Sequence, residues 1–389
     1  MSDSRASERG LPGLRGLSAK GSRGTQSTVL IEGPVLPTEQ DEVEAEPLAR
    51  PRLVRHTISL SDGHRVGLAV SGRGVPLVVV HGFSAEGFLY AQTLSRLVGM
   101  GYKVIAIDTA GHGGTHGLPR GGGAPQEYAA LLGRTIAELG IRRAVLAGHS
   151  MGGRLVLELA VMEPERAIAL LLLDAIVGDT WDRMVRVFRR APFLLSGIGA
   201  ALAVDSVSTL PVFREPRQAL KLARLVVPTG TAHLRRPWRL LGPTVSILRS
   251  SPSGPLLDRL AESGVPLFAI HGDRDFAVPI STSRDAAARA NGQLVVVKGG
   301  SHSWVLKDPE TLPAIVYELL GGGLGAAQRM ALLHAGIVPG DAGIEDVEAA
   351  LYEPDAPVLE LTPPQPDPGE APQAPARRPR YDFEITTPR

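Results

Sequence analysis

Gly148-His149-Ser150-Met151-Gly152 is a segment of the chain whose residue types and spacing could carry out nucleophilic chemistry. It follows the apolar run Ala144–Ala147 directly and precedes a helical stretch, Arg154–Met162. A G-x-S-x-G segment between a strand and a helix is typical of a tight turn that presents a serine as nucleophile. A glycine-rich turn with an incidental serine is the alternative interpretation. A serine hydroxyl is a weak nucleophile until a neighbouring imidazole accepts its proton, so the hypothesis requires a partner histidine and an acid to orient it.

The elements that would position such a site alternate along the chain between predicted strands and predicted helices. Arg55–Leu60 and Arg65–Val70 flank an Asp-Gly turn and predict a hairpin. Short runs that are apolar throughout predict strands buried on both faces of a parallel sheet. These runs are Leu77–Val80, Val104–Ile107, Ala144–Ala147, Ala169–Leu173, Leu267–Ile270 and Leu294–Val297. Helical segments separate most of them, which predicts an α/β fold with helices on both faces of a mainly parallel sheet.

Further motifs make the chain resemble the α/β-hydrolase superfamily over about residues 53–321. His81-Gly82-Phe83 follows one predicted strand, Asp108–Gly113 resembles the D-x-x-G-x-G loop after the next, and Pro164-Glu165-Arg166 precedes another. The resemblance is to the lidded branch with esterases, cofactor-free haloperoxidases and carbon–carbon bond hydrolases. It implies an eight-stranded sheet with an inserted helical cap. The chain departs from the common form at Ala110, where an arginine is usual, and in lacking a serine after Gly113.

The same resemblance implies the remaining site residues. Asp275, in a G-x-x-D pattern after Leu267–Ile270, is the expected acid, and His302 after Leu294–Val297 is the expected base. The order Ser150, Asp275, His302 is that of the α/β-hydrolase fold. The backbone N–H groups of Phe83 and Met151 would form the oxyanion hole. No cofactor and no metal are implied.

Other residues at these positions have competing interpretations. Asp174, at the end of the preceding strand, is an alternative position for the acid. Asp273 is interpreted as a turn residue that caps local amides. The remaining histidines of the family's loops are interpreted as structural or pocket-lining, and these are His81, His112, His149 and His271.

The chain divides by composition into six segments. We expect a disordered tail over residues 1–50, the core over 51–177 and 256–321, a helical cap over 178–255, a helical extension over 322–353, and a proline-rich disordered tail over 354–389. The cap segment carries one lysine and eleven arginines against four acids. These arginines are interpreted first as solvated helix faces, and alternatively as a site for an anionic substrate or membrane surface.

Bulk composition narrows the function classes. A net charge of +1 gives no reason to expect nucleic acid as a partner, and the absence of cysteine excludes disulfides and thiol catalysis. No signal peptide or spanning segment is evident, so a cytoplasmic protein is expected. The sequence predicts a serine hydrolase that cleaves a carboxylic ester of a small-molecule acyl substrate. A thioesterase, a carbon–carbon bond hydrolase or a non-catalytic binding protein on the same fold remain alternatives, and oligomeric state is left open.

Overall fold

The computed structural model describes residues 53–83, 90–119, 122–195, 197–199, 202, 205, 231, 241–340, 342–361 and 378–386. The expected tail over 1–50 and most of the middle of the cap segment lie outside these residues. Within them the chain builds one nine-stranded sheet in the order β1-β2-β4-β3-β5-β6-β7-β8-β9. The strands are β1 (Val54–Ser59), β2 (Arg65–Ser71), β3 (Val75–Val80), β4 (Tyr102–Ile107), β5 (Ala144–His149), β6 (Ala167–Leu173), β7 (Leu267–Gly272), β8 (Gln293–Val297) and β9 (Phe383–Thr386).

The six central strands, β4, β3, β5, β6, β7 and β8, run parallel, whereas β1, β2 and β9 are antiparallel to their neighbours. Each apolar run named above lies in one of β3 to β8, and the hairpin around Gly63 forms β1 and β2. The central strands are almost entirely buried, which explains why they are apolar throughout instead of alternating. The prediction of a mainly parallel α/β sheet flanked by helices is confirmed.

Twelve helices are described around this sheet. They are α1 (Ala91–Val98), α2 (Pro125–Glu138), α3 (Met151–Met162), α4 (Asp179–Arg190), α5 (Leu241–Arg249), α6 (Gly254–Ser263), α7 (Ser281–Arg289), α8 (Trp304–Lys307), α9 (Thr311–Leu320), α10 (Gly323–His334), α11 (Ile344–Leu351) and α12 (Pro357–Glu360). A short 3-10 turn, Pro164–Arg166, leads into β6. None of the helices described in these ranges is long and apolar enough to cross a bilayer.

Helix α3, which follows the serine turn, is buried from Met151 to Val161. It carries a polar pair inside the protein, in which Arg154 Nη2 lies 2.6 Å from Glu158 Oε1 with both side chains at most 2% exposed. Arg154 also donates to the backbone oxygen of Ser251, beyond the cap segment's last helix. The pair therefore ties the helix behind the serine to the chain that leaves the cap.

The prediction that residues 354–389 are disordered is wrong for the parts described, because 354–361 include helix α12 and 378–386 include strand β9. Strand β9 pairs antiparallel with β8, from Leu294 opposite Thr386 to Val297 opposite Phe383, and makes the sheet one strand wider than the predicted eight. The open edge of β8 offers a row of unpaired N–H and C=O groups, and a short strand satisfies them whatever the composition of the chain around it. Residues 362–377 lie outside the described part.

The segment 322–353 contains helices α10 and α11, and its end packs on the core. Tyr352 is 1% exposed, donates its hydroxyl to the backbone oxygen of Gly74 and forms an isolated bridge with Ile141. These contacts hold the end of α11 beside the start of β3. The extension therefore belongs to the same hydrophobic core as the sheet.

Candidate active site

Ser150 lies at the turn between β5 and α3, in a backbone conformation that few residues other than glycine adopt (φ 54°, ψ −117°). Such a conformation costs about 1–3 kcal/mol and persists only where its surroundings fix it. The Ser150 N–H donates to the Leu173 oxygen at 2.8 Å, and the Ser150 oxygen accepts from Gly153 and Ile176. The neighbouring strand β6 and the segment after it therefore hold the serine in place.

The two glycines of the pentapeptide are required by close backbone contacts. A Cβ on Gly152 would lie 2.1 Å from the Val80 oxygen, and one on Gly148 would lie 2.4 Å from the Gly152 carbonyl. Both distances are far below van der Waals contact, so no side chain fits at either position. The incidental-serine interpretation leaves the strained conformation of Ser150 without an explanation.

Asp275 and His302 form a direct pair, with His302 Nδ1 2.6 Å from Asp275 Oδ2. The other carboxylate oxygen of Asp275 accepts the N–H groups of Ala277 and Val278, each at 2.8 Å. Because the carboxylate can only accept, His302 carries its proton on Nδ1 and keeps Nε2 free to act as a base.

Electrostatics favour a charged acid beside this histidine. Burial raises the pKa of Asp275, but the charge and hydrogen bond of His302 and the donors around it lower the pKa more, so the net shift is downward. Burial likewise lowers the pKa of His302, but the charge and hydrogen bond of Asp275, together with neighbouring carboxylates, raise this pKa more, so the net shift is upward. A proton accepted by His302 would therefore give an imidazolium beside a carboxylate that favours its charge.

Contacts between loops bring the serine turn and the histidine to the same end of the sheet. His149, next to the serine, has Nε2 3.0 Å from the backbone oxygen of His302, and the two rings lie 4.7 Å apart between centroids. On the opposite side, a Cβ on Gly82 would lie 3.0 Å from the Ser150 Cβ. Ser150, His302 and the loop that carries Phe83 are thus assembled together at the carboxyl ends of the parallel strands.

The two residues expected to form the oxyanion hole flank the serine. Met151 begins helix α3, where the first N–H groups have no partner within the helix, and Phe83 follows Gly82 directly. Both side chains pack in an apolar cluster, here called the cap cluster, that joins the cap to the site. Its other buried members are Ile176, Trp181, Val185, Phe188, Ala277 and Val278. An apolar cluster therefore lies beside the serine turn.

Asp174, the alternative acid, lies beside the site but makes different contacts. It is fully buried and accepts the Gly272 N–H at 2.9 Å and the Trp304 Nε1–H at 2.6 Å. Burial, and then the charge of Asp275, raise its pKa well above the ordinary value, which favours the neutral acid. Asp275, and not Asp174, hydrogen-bonds to His302.

Three of the loop histidines, His81, His112 and His271, hydrogen-bond to other loop residues. His81 Nε2 accepts the N–H of Thr109, and His112 Nδ1 lies 3.0 Å from the Thr109 hydroxyl. His271 donates Nε2–H to the Val278 oxygen at 2.8 Å, and its Nδ1 accepts from Ser283. Burial lowers the pKa of His271 to about 4 and keeps it neutral.

One group in the described part of the chain has the spacing of metal ligands, namely Asp174, His271 and Asp275, whose ligand atoms lie within 4.8 Å of one another. Both nitrogens of His271 and both oxygens of Asp275 already have hydrogen-bond partners, and His271 Nε2 carries a proton. The hydrogen-bond network explains this cluster better than a cation does.

Some residues reach the site only through the fold. Asp273 was expected to cap local amides, but the amide that it accepts, at 2.7 Å, belongs to Gly299 in the loop before the histidine, 26 residues further along the chain. Asp205 and Tyr90 were missed by sequence reasoning. Asp205, from the cap segment, accepts the Ser303 N–H at 2.8 Å and the Lys307 ammonium at 2.9 Å. Tyr90 contacts His149 (described below), and no motif pointed to it.

Comparison with known proteins identifies the family. A family model described as the alpha/beta hydrolase family matches residues 77–314, and the chain belongs to this family. A protein of Mycobacterium phage D29 that is provisionally named as a non-heme haloperoxidase is 35% identical over 272 residues, which cover 65% of this chain and 90% of the relative. A pimeloyl-[acyl-carrier protein] methyl ester esterase of Xanthomonas campestris is 32% identical over 251 residues, or 60% of this chain and 90% of the relative.

Solved structures support the same fold. A carboxylesterase from the thaumarchaeon Nitrososphaera gargenis superposes with a TM-score of 0.55 at 22% identity, covering 70% of this chain and 99% of the other. The protein is therefore a hydrolase of the α/β fold with esterase-like relatives.

Proposed function

We propose that this protein is a serine hydrolase that cleaves a carboxylic ester or a related acyl bond through an acyl-enzyme. The observation that carries the proposal is the strained Ser150 turn beside a preformed Asp275–His302 pair. A serine held in this conformation, with an oriented base at the same end of the sheet, is suited to acyl transfer.

In the proposed reaction His302 Nε2 accepts the proton of the Ser150 hydroxyl as the oxygen attacks the substrate carbonyl. The tetrahedral oxyanion is stabilised by the N–H groups of Phe83 and Met151, each worth about 3 kcal/mol in comparable sites. His302 then protonates the leaving alcohol, and the acyl group stays on Ser150. Water attacks the acyl-enzyme by the same steps in reverse order and releases the acid.

The substrate class follows from the walls of the site. The cap cluster places Trp181, Phe188 and Ile176 against Phe83 and Met151. These side chains are apolar except for the indole N–H of Trp181, which is buried without a hydrogen-bond partner among the residues that the structure describes. Burial of an acyl chain against them contributes about 25 cal/mol per Å² of apolar surface. We therefore propose a small molecule with an apolar acyl group as the substrate.

A panel of p-nitrophenyl esters with acyl chains of two to twelve carbons, together with a fluorophosphonate probe, tests the proposal. We expect turnover of at least one ester, stoichiometric label on Ser150, and loss of both in Ser150→Ala. Ser263→Ala is the matched control, because that hydroxyl donates to the Leu260 oxygen at the end of α6, away from the site. A folded wild-type protein that neither labels nor turns over any ester would instead favour a non-catalytic binding protein.

A second candidate is peroxide-dependent halide oxidation, favoured by the 35% identity to the phage relative named as a haloperoxidase. The same acyl-enzyme would be attacked by hydrogen peroxide in place of water, giving a peracid and the free serine, and the peracid would oxidise the halide. Bromination of monochlorodimedone that requires acetate, peroxide and Ser150 would support this activity. A rate equal to that of Ser150→Ala would exclude it.

A further inference from the structure

A chain of hydrogen bonds runs behind the three loops of the site. The Tyr90 hydroxyl oxygen lies 3.0 Å from His149 Nδ1, and His149 Nε2 lies 3.0 Å from the backbone oxygen of His302. Gly82, in the loop that carries Phe83, packs against the same ring, because a Cβ on Gly82 would lie 3.0 Å from His149 Nδ1. These contacts join the loop that carries Phe83, the residue next to Ser150 and the backbone of His302.

The chemical groups that each hydrogen bond joins determine which of them is the donor. The His302 oxygen is a carbonyl and can only accept, so His149 must carry its proton on Nε2. Burial lowers the pKa of His149 to about 3, so the ring is neutral and Nδ1 has a free lone pair. Tyr90 therefore donates its O–H to Nδ1. One tautomer of His149 satisfies every bond in the chain.

Burial makes these bonds costly to break. Tyr90 is 4% exposed, His149 6% and His302 5%, so water has little access to the atoms that they pair. The rings pack in tilted pairs, with centroids 5.7 Å apart and planes at 58° for Tyr90 and His149, and 4.7 Å apart and planes at 49° for His149 and His302. Removing one partner leaves another polar group buried without a bond.

We infer that Tyr90 and His149 are positioning residues that hold the oxyanion loop, the serine turn and the backbone of His302 as one unit. Neither side chain needs to touch substrate for this role, because it acts through the placement of the reacting groups. Displacements of about 1 Å in such groups can reduce rates about 100-fold. The inference rests on the proposed function, since it assigns the role to the same Ser150 site.

A purely structural role in core packing is the competing explanation, and Tyr102 offers a matched control for it. Tyr102 is 2% exposed and its hydroxyl accepts a hydrogen bond from Gln328, but it lies at the start of β4, at the opposite end of the sheet from the site. Tyr90→Phe and Tyr102→Phe thus each remove one buried hydroxyl that hydrogen-bonds to one side chain. A packing role predicts equal effects on stability and none on catalysis.

The experiment measures kcat and KM for the best ester, with folding checked by circular dichroism. We expect Tyr90→Phe to lower kcat about tenfold, or about 1.4 kcal/mol, with KM within twofold of wild type, and Tyr102→Phe to leave both constants unchanged. His149→Gln, which keeps a donor toward the His302 oxygen, should retain most of kcat, whereas His149→Leu should lose at least tenfold. Equal kcat in the two phenylalanine variants, or equal loss in the two His149 variants, would overturn the inference.

A second measurement separates this inference from the proposed function. In protein labelled with ¹⁵N-histidine, the Nε2 proton of His149 should exchange slowly with water, and the signal should be lost or shifted in Tyr90→Phe but not in Tyr102→Phe. If wild type shows this signal but hydrolyses no ester, the proposed function fails and the hydrogen-bond chain stands. If the ester is hydrolysed and His149 is protonated on Nδ1 in wild type, the function stands and the inference fails.

Discussion

Replacement of Asp275 by asparagine is expected to remove nearly all hydrolytic activity, because the structure dictates how the new amide must orient. One carboxylate oxygen accepts two backbone N–H groups, from Ala277 and Val278, and the other accepts His302 Nδ1–H. Asparagine has a single acceptor oxygen. The two backbone donors fix that oxygen on their side, so the NH₂ group faces the histidine.

The size of the effect follows from the tautomer. An NH₂ donor facing His302 Nδ1 requires a lone pair there and moves the ring proton to Nε2, the atom that must accept the serine proton. The corresponding change in a serine protease triad lowers kcat about 10⁴-fold, which is about 5.5 kcal/mol. The fold should be little affected, because both backbone N–H groups keep their acceptor.

Asp174→Asn is the matched control, because this carboxyl group is the rival candidate for the acid. Its two oxygens accept one N–H each, from Gly272 and Trp304, so an amide leaves one of them without an acceptor. We expect a loss of about 1–3 kcal/mol in the free energy of unfolding and less than a tenfold change in kcat. The assay is ester hydrolysis at pH 8, with thermal unfolding measured on the same samples. Asp275→Asn with more than a tenth of wild-type kcat, or Asp174→Asn with a thousandfold loss, would refute the assignment of the acid.

Three further predictions use other parts of the structure. The rate constant kcat/KM should fall as the pH drops through the pKa of His302, because the base must be neutral. Burial lowers this pKa, but Asp275 and the neighbouring carboxylates together raise it more. A pH–rate profile should therefore place the acid limb above the ordinary value of 6.5, and a limb at pH 5 would contradict this. Gly152→Ala should lower the melting temperature by several degrees or prevent folding, because its Cβ would lie 2.1 Å from a backbone oxygen and overpacking costs about 1–3 kcal/mol or more. The control is Gly117→Ala, which has nothing within 4 Å of the new Cβ and should melt at the same temperature as wild type. Deletion of residues 378–389 should lower the melting temperature and cause concentration-dependent light scattering, because it uncovers the edge of β8. A monodisperse sample with an unchanged melting temperature would show that β9 contributes neither to stability nor to protection against aggregation.

The sheet and the proposed catalytic residues were predictable because their signals are local. A buried parallel strand needs a run of apolar residues, and the runs from Leu77 to Val297 each became a strand. Ser150 stands in a turn whose glycines are imposed by contacts within a few residues and with β3. For Asp275 and His302 the resemblance to a family gave the positions, and the structure adds the 2.6 Å hydrogen bond between them.

The missed features depend on contacts between distant parts of the chain. Nothing in the residues around Tyr90 indicates that its hydroxyl meets His149, and nothing around Trp304 indicates that its indole donates to Asp174. Strand β9 was missed for a different reason: four residues with weak alternation, preceded by many prolines, have no periodicity of their own. Such a strand exists only because β8 offers an edge, and that edge is a property of the fold.

Strand β9 also has a consequence for the order in which the protein is assembled during synthesis. Its pairing partner β8, and His302 just after it, leave the ribosome roughly 80 residues earlier, which at about 5–20 residues per second is an interval of roughly 4–16 s. Throughout that interval the nascent sheet ends in a bare apolar strand that can pair with another chain. We expect chaperones that shield emerging strands to matter most in this window, and a stretch of slow codons between residues 300 and 380 would lengthen it.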